Sequence, residues 1–183
     1  RRVLFRSTLI GEPDRAAEDL TEVLHLDPFD SEALLLRGGA FSDQQKWAEA
    51  LEDYDQALDL APDNPDLFYD RGLVWEAQQD YHRAIEDFTR AIDLDPEYVP
   101  AVMDRGNCWD ELGQLENALE DYNRALELSE NDPLILFNRG LAYLNSGRLD
   151  EAIADFNDSL EREPENRRAI SSRGDAYLRQ RQY

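Results

Sequence analysis

Cysteine, lysine and methionine each occur once in this chain, as Cys108, Lys46 and Met103, and histidine only twice, as His25 and His82. A single cysteine excludes an internal disulfide framework and any multi-cysteine metal site. His25 and His82 stand at polar positions away from any ligand partner, which leaves no His-based metal or nucleophile motif. There is no glycine-rich phosphate loop and no nucleophile elbow. Uninterrupted apolar runs fall far short of the roughly 18 residues that a membrane span requires. The first residues lack the apolar core and small-residue cleavage site of a secretory signal. Positive charge is scarce: 19 Lys and Arg face 41 Asp and Glu, for a formal net charge of −22. Nucleic acid and anionic membrane are therefore poor partners, because both need clustered cations. A cationic partner fits such a surface, and so does simple solvation. No catalytic residue, metal or cofactor is expected, and the absence of a signal or span suggests a cytoplasmic setting.

What the chain has in abundance is a repeated word. Residues 65–98 read PDLFYDRGLVWEAQQDYHRAIEDFTRAIDLDPEY. Phe68, Arg71, Gly72 and Trp75 are spaced three and four apart, on one helix face. A polar break follows at Gln78-Gln79-Asp80. Ala84, Ile85, Phe88, Ala91 and Ile92 then define a second amphipathic helix. Asp95-Pro96 ends it, since proline cannot continue a helix and restricts the residue before it.

Shifted by 34 residues, the word returns. Gly72 is matched by Gly38, Gly106, Gly140 and Gly174. Ala84 is matched by Ala16, Ala50, Ala118 and Ala152, and Phe88 by Tyr54, Tyr122 and Phe156, with Leu20 in the first copy. Trp75 is matched by Phe41, Trp109, Tyr143 and Tyr177. Pro96 is matched by Pro28, Pro62 and Pro164, and only Glu130 breaks that column. A fixed period of this length marks a stacked array of supersecondary units.

Small-Gly-aromatic on one helix, Ala-aromatic-Ala on the next, then proline, at this period, resembles the tetratricopeptide repeat. The resemblance runs over essentially the whole chain. It implies an all-α right-handed superhelical solenoid of antiparallel helix pairs. The expected divisions are a partial repeat at 8–30 carrying only a second helix, complete repeats at 31–64, 65–98, 99–132 and 133–166, and a first helix alone at 167–183. Residues 1–7, RRVLFRS, do not fit the register and resemble the translation of a sequencing-library adaptor, so they are expected to be read-through. Without a polar capping helix at either end, the chain reads as part of a longer array.

Two columns depart together from the commonest family pattern. Arg37, Arg71, Arg105, Arg139 and Arg173 precede each glycine, where leucine is typical. Asp19, Asp53, Asp87, Asp121 and Asp155 precede each second-helix aromatic or its counterpart. In an antiparallel hairpin turning near Gln79, Arg71 and Asp87 lie level. The planar guanidinium suits a partly buried carboxylate. The expectation is an Arg–Asp pair within each repeat, as a structural device. A pair across the repeat boundary, such as Asp53–Arg71, is also geometrically open.

The resemblance places function on a surface, since first helices of such repeats line a peptide-binding groove. Carried over by position, the groove residues here are Leu35, Tyr69, Leu73, Glu76, Met103, Asn107, Asp110, Glu111, Phe137, Asn138, Leu141 and Arg168. Tyr69, Met103 and Phe137 would anchor, with Glu76, Asp110 and Glu111 steering. The implied partner is a protein or peptide of basic or amphipathic character. A carboxylate clamp of the kind that grips chaperone tails needs Lys, Asn, Asn, Lys and Arg. The best register supplies Asn107, Asn138 and Arg168, with Met103 and Ser172 where two cations should stand, which argues against that ligand. Two other readings stay open at this level: a recruiting arm of a larger enzyme such as a kinase or transferase, and a self-associating module.

Overall fold

The computed structural model describes residues 13–181. The readings of residues 1–7 and of Tyr183 lie outside the described residues, as does the start of the 8–30 segment. Among the described residues there are ten α-helices and no strand. They are α1 (Pro13–Leu26), α2 (Ser31–Asp43), α3 (Trp47–Leu60), α4 (Pro65–Ala77) and α5 (Tyr81–Leu94), followed by α6 (Val99–Glu111), α7 (Leu115–Leu128), α8 (Pro133–Asn145), α9 (Leu149–Arg162) and α10 (Arg167–Gln180). The described residues form two compact units that divide between Pro96 and Glu97, the first holding α1–α5 and the second α6–α10. Within each unit sequential helices pack on one another, and alternate helices touch along one side: α2 with α4, and α6 with α8 and α8 with α10.

Local chemistry sets the helix ends. Asp30 accepts from the backbone N–H of Glu32 and Ala33, each at 3.0 Å. Asn64 accepts from Asp66 N–H at 3.1 Å and Asp132 from Leu134 N–H at 2.7 Å. In α4 and α8 proline occupies the first turn, where its missing N–H costs nothing. The tight turns from first to second helix all use one left-handed residue at the same column. It is Gln45 (φ 59°), Gln79 (φ 62°), Gly113 (φ 70°) and Gly147 (φ 81°). Only glycine adopts this conformation without steric cost, so the two glutamines carry a small strain that the packed hairpins tolerate. Where Glu130 breaks the proline column, the exit from α7 instead runs through two left-handed residues, Glu130 (φ 54°) and Asn131 (φ 64°).

The core follows the columns. In the first unit Ala50, Ala57, Leu67, Val74, Ala84, Phe88 and Ala91 are fully buried, with Tyr54 nearly so. In the second, Phe156 packs with Phe137, Leu144, Ala152, Ala169 and Ala176. Each buried aromatic or large aliphatic side chain contributes about 1.5–3 kcal/mol. The glycine column makes room for those rings. A Cβ on Gly72 would stand 2.7 Å from Phe88 Cε1, one on Gly38 2.8 Å from Tyr54 Cε1, and one on Gly140 2.7 Å from Phe156 Cε1. Close helix approach is thus set by a ring seated on bare backbone 16 residues away in sequence.

Candidate functional site

The arginine ahead of each glycine makes the same contact four times. Arg37 Nε donates to Asp53 Oδ2 at 2.8 Å and Nη2 to Asp53 Oδ1 at 2.7 Å. Arg71 grips Asp87 at 2.8 and 2.6 Å, Arg105 grips Asp121 at 2.8 and 2.6 Å, and Arg139 grips Asp155 at 2.8 and 2.7 Å. All four are two-pronged and lie inside one helix pair. An Nη1 reaches back to the preceding second helix: Arg37 to Thr21 Oγ1 at 3.2 Å, Arg71 to Asp55 Oδ1 at 2.6 Å, Arg139 to Asn123 Oδ1 at 2.5 Å and Arg173 to Asn157 Oδ1 at 2.7 Å. Arg37, Arg71 and Arg139 therefore each tie three helices together. Reading the sequence by columns does not single out the reach-back acceptors. Their column (21, 55, 89, 123, 157) reads Thr, Asp, Thr, Asn, Asn, always a side-chain oxygen, and that is the signal it offers.

Arg–Asp pairs of this kind are buried on the carboxylate side, with Asp53 and Asp121 side chains 3% and 5% exposed. The hydrogen bond that it donates to Asp87 holds the Arg71 guanidinium above its usual range. Asp87 itself is pushed up, because burial outweighs the attraction of Arg71. The four two-pronged contacts hold each helix pair in one register.

The first-helix faces of the two units differ. In residues 13–96 the face carries half-buried Leu35, Tyr69, Leu73 and Glu76. Tyr69 stacks at a tilt on Phe88, ring centroids 5.7 Å apart. In residues 97–181 the face is polar at its floor. Tyr122 OH donates to Asn107 Oδ1 at 2.8 Å, Asn138 Nδ2 donates to the same oxygen at 3.2 Å, and Asn107 Nδ2 donates to Asp104 Oδ1 at 3.1 Å. Asp104 is buried, a residue that the positional reading of the groove passes over. Burial raises Asp110, and neighbouring Glu111 adds to the shift. Tyr122 is pushed strongly up by burial, then by Asp110 and Asp104. Met103, Asn138 and Leu141 are half-buried and Glu111 is exposed.

Phe137 differs from its expected role as an open anchor. It is 3% exposed, its ring lies 6.0 Å from that of Phe156, and the exposed Arg168 guanidinium sits 5.0 Å above it. The column fixes which face Phe137 is on, and the cation–π contact then closes that position. His25 and His82 are both exposed, and Cys108 is buried. Among the described residues no group of three or more His, Cys, Asp or Glu could hold a metal ion. No helix of the described residues is long and apolar enough to cross a membrane.

Family models match this pattern in three places. Models described as tetratricopeptide repeat match residues 36–101 and 133–166, and one described as TPR repeat matches 111–147. The chain belongs to the tetratricopeptide repeat family. Solved structures share the fold. MamA is 27% identical over 87% of this chain and 93% of its own, with a TM-score of 0.78. A thermophilic TPR protein from Thermus thermophilus is 24% identical, covering 97% and 96%, TM-score 0.76. YrrB, a TPR protein with an unusual peptide-binding site, is 22% identical, covering 91% and 86%, TM-score 0.76. No curated protein matches the chain. Repeats of this family are interaction scaffolds that bind proteins or peptides, and their structures are typically non-catalytic, which is the coarse role that this chain's membership carries.

Proposed function

We propose that the first-helix face of residues 97–181 binds a basic, amphipathic peptide or helix. The carrying observation is Asp110, held on that face with its carboxyl raised by burial and by Glu111. A lysine or arginine placed there would relieve the cost of ionising it, so the partner's cation gains from both carboxylates. Half-buried Met103 and Leu141 lie on the same face and supply adaptable apolar contact. The acidic composition of the chain supports the same sign of partner and would speed encounter at low salt. Tyr69, Leu73 and Glu76 give the first unit an analogous apolar-acidic face for the same class of ligand.

A fluorescein-labelled 16-residue helix of alternating Lys and Leu faces is the direct probe, read by anisotropy at 50 and 500 mM salt. Saturable binding is expected to weaken at least fivefold in Asp110→Asn/Glu111→Gln and to weaken with salt. Tyr69→Ala should weaken it separately. Affinity untouched by the charge-removing pair sinks the proposal.

A further inference from the structure

We infer that the groove between the second helices α1 and α3 is a binding site for a single carboxylate on a short apolar stem. A cavity of about 240 Å³ opens there beside α2. Leu24, Pro28 and Leu34 form its apolar wall, and Thr21, His25, Arg37 and Gln56 its polar groups. One repeat on, the corresponding space is taken up. Phe68 stands at the column of Leu34, and the Arg71 and Arg90 guanidiniums lie 5.8 and 5.7 Å from its ring.

The two grooves differ in charge as well as in filling. Arg71 holds two carboxylates at once, Asp87 and Asp55, each at 2.6 Å. Arg37 grips Asp53, but its Nη1 donates to the neutral Thr21 hydroxyl, at 3.2 Å. A second anion at Arg37 would therefore restore an arrangement that the chain already uses at Arg71. His25 stands where every later copy has an acid: Asp59, Asp93, Glu127 and Glu161. That column repels an anion elsewhere and does not do so here. The His25 ring and the Gln56 side-chain amide make no hydrogen bond among the described residues, so both can turn an N–H toward a ligand oxygen. Size then limits the occupant. The cavity has room for about eight waters and falls below the roughly 300 Å³ that a drug-sized molecule needs. One small organic acid fits, as does one glutamate side chain of a partner protein, with the carboxylate at Arg37 and the stem on Leu24 and Leu34. The site is independent of the acidic first-helix face of residues 97–181 and takes a ligand of opposite charge.

The probes are 3-methylbutanoate, its uncharged amide, and the capped dipeptide acetyl-Glu-Leu-amide. Each is titrated into the ¹⁵N-labelled full chain at 150 mM salt, following the Arg37 Nε–Hε and Gln56 side-chain amide resonances. Saturable shifts at both are expected with a carboxylate probe and none with the uncharged amide. A dipeptide that binds at least fivefold more tightly than the free acid makes a protein the source of the carboxylate, and any smaller preference makes it a small acid; both outcomes uphold the site. Thr21→Asp gives Arg37 the internal carboxylate that Asp55 gives Arg71, a change that the frame accommodates one repeat on. It should weaken binding at least fivefold, and Gln56→Ala should weaken it as well. Absent shifts, equal shifts with the uncharged amide, or an affinity that Thr21→Asp leaves unchanged would overturn the site.

Discussion

The two units use the same frame and differ on their first-helix faces. In residues 13–96, Phe88 stands 15 residues after Leu73, an apolar ring beside an apolar neighbour. In residues 97–181 the same two columns hold Tyr122 and Asn107, and the hydroxyl donates to the amide oxygen at 2.8 Å. Phe156 and Leu141 return to the apolar choice. In these three pairs the ring and its neighbour change together, because a buried hydroxyl without an acceptor is costly, and so is a buried amide without donors; in the fourth, Tyr54 stands beside Gly39, which has no side chain to offer. The frame, by contrast, does not vary: Arg71–Asp87 in one unit and Arg139–Asp155 in the other are gripped by the same two nitrogens at nearly the same distances. Register is held constant while the face is free to change its chemistry.

Breaking the shared frame should have the largest effect. Arg139→Leu leaves Asp155, almost fully buried, without its cation, and a loss of about 3–5 kcal/mol is expected. Arg71→Leu should cost a similar amount through Asp87. Repeat arrays unfold segment by segment, so the measurement is amide exchange, with protection lost first in α8 and α9 for the former and in α4 and α5 for the latter. Adding Asp155→Leu to Arg139→Leu should recover most of the loss, giving a coupling of at least about 1.5 kcal/mol in the cycle. Coupling near zero would mean that the fork is ornamental.

Swapping the variable pair sharpens the contrast. Tyr122→Phe removes one donor from Asn107 Oδ1, which still receives Asn138, and about 1 kcal/mol is expected. Asn107→Leu should cost more, about 2–3 kcal/mol, because Asp104, Asn138 and the Tyr122 hydroxyl each lose a partner. The mirror change, Phe88→Tyr, puts a hydroxyl against Leu73 and should cost about 1–2 kcal/mol. Calorimetry of the three variants orders them, and a harmless Phe88→Tyr would refute the idea that the columns are coupled.

Much of this is legible in sequence for a physical reason. A period of 34 residues with no insertion fixes which side chains share a face, so helices, turns, caps and the Arg and Asp columns can be read directly. The choice of partner cannot: Asp53 and Asp87 both lie level with Arg71, and only the packed geometry aims the fork at Asp87 and the third N–H at Asp55. Phe137 shows the other limit. Its column places it on the first-helix face, but whether it is open depends on Arg168, 31 residues later, folding over its ring. The acidic floor is half visible: Asn107 and Asn138 are read as facing residues, whereas Asp104 is missed although it shares Asn138's column, because that column, with Leu36, Asp70 and Ser172 besides, keeps no constant chemistry.

The smallest expected effect tests the electrostatics of that floor. Burial and Glu111 raise the Asp110 carboxyl, so the folded chain holds this proton more tightly than the unfolded chain does. Ionising Asp110 therefore works against the fold. Its unfavourable contribution is absent when both states are protonated, grows as pH climbs past the ordinary carboxylate range, and is complete above the raised value. Asp110→Asn removes the charge and keeps the shape. It should raise Tm at pH 7.5 by up to about 2 °C, a gain under about 1 kcal/mol because the group is only half-buried. The gain should vanish by pH 3. A basic peptide bound on this face should erase it too, since its cation would stabilise the same carboxylate. A gain that is constant across pH would place the cause in packing, and the acidic face would lose its electrostatic role.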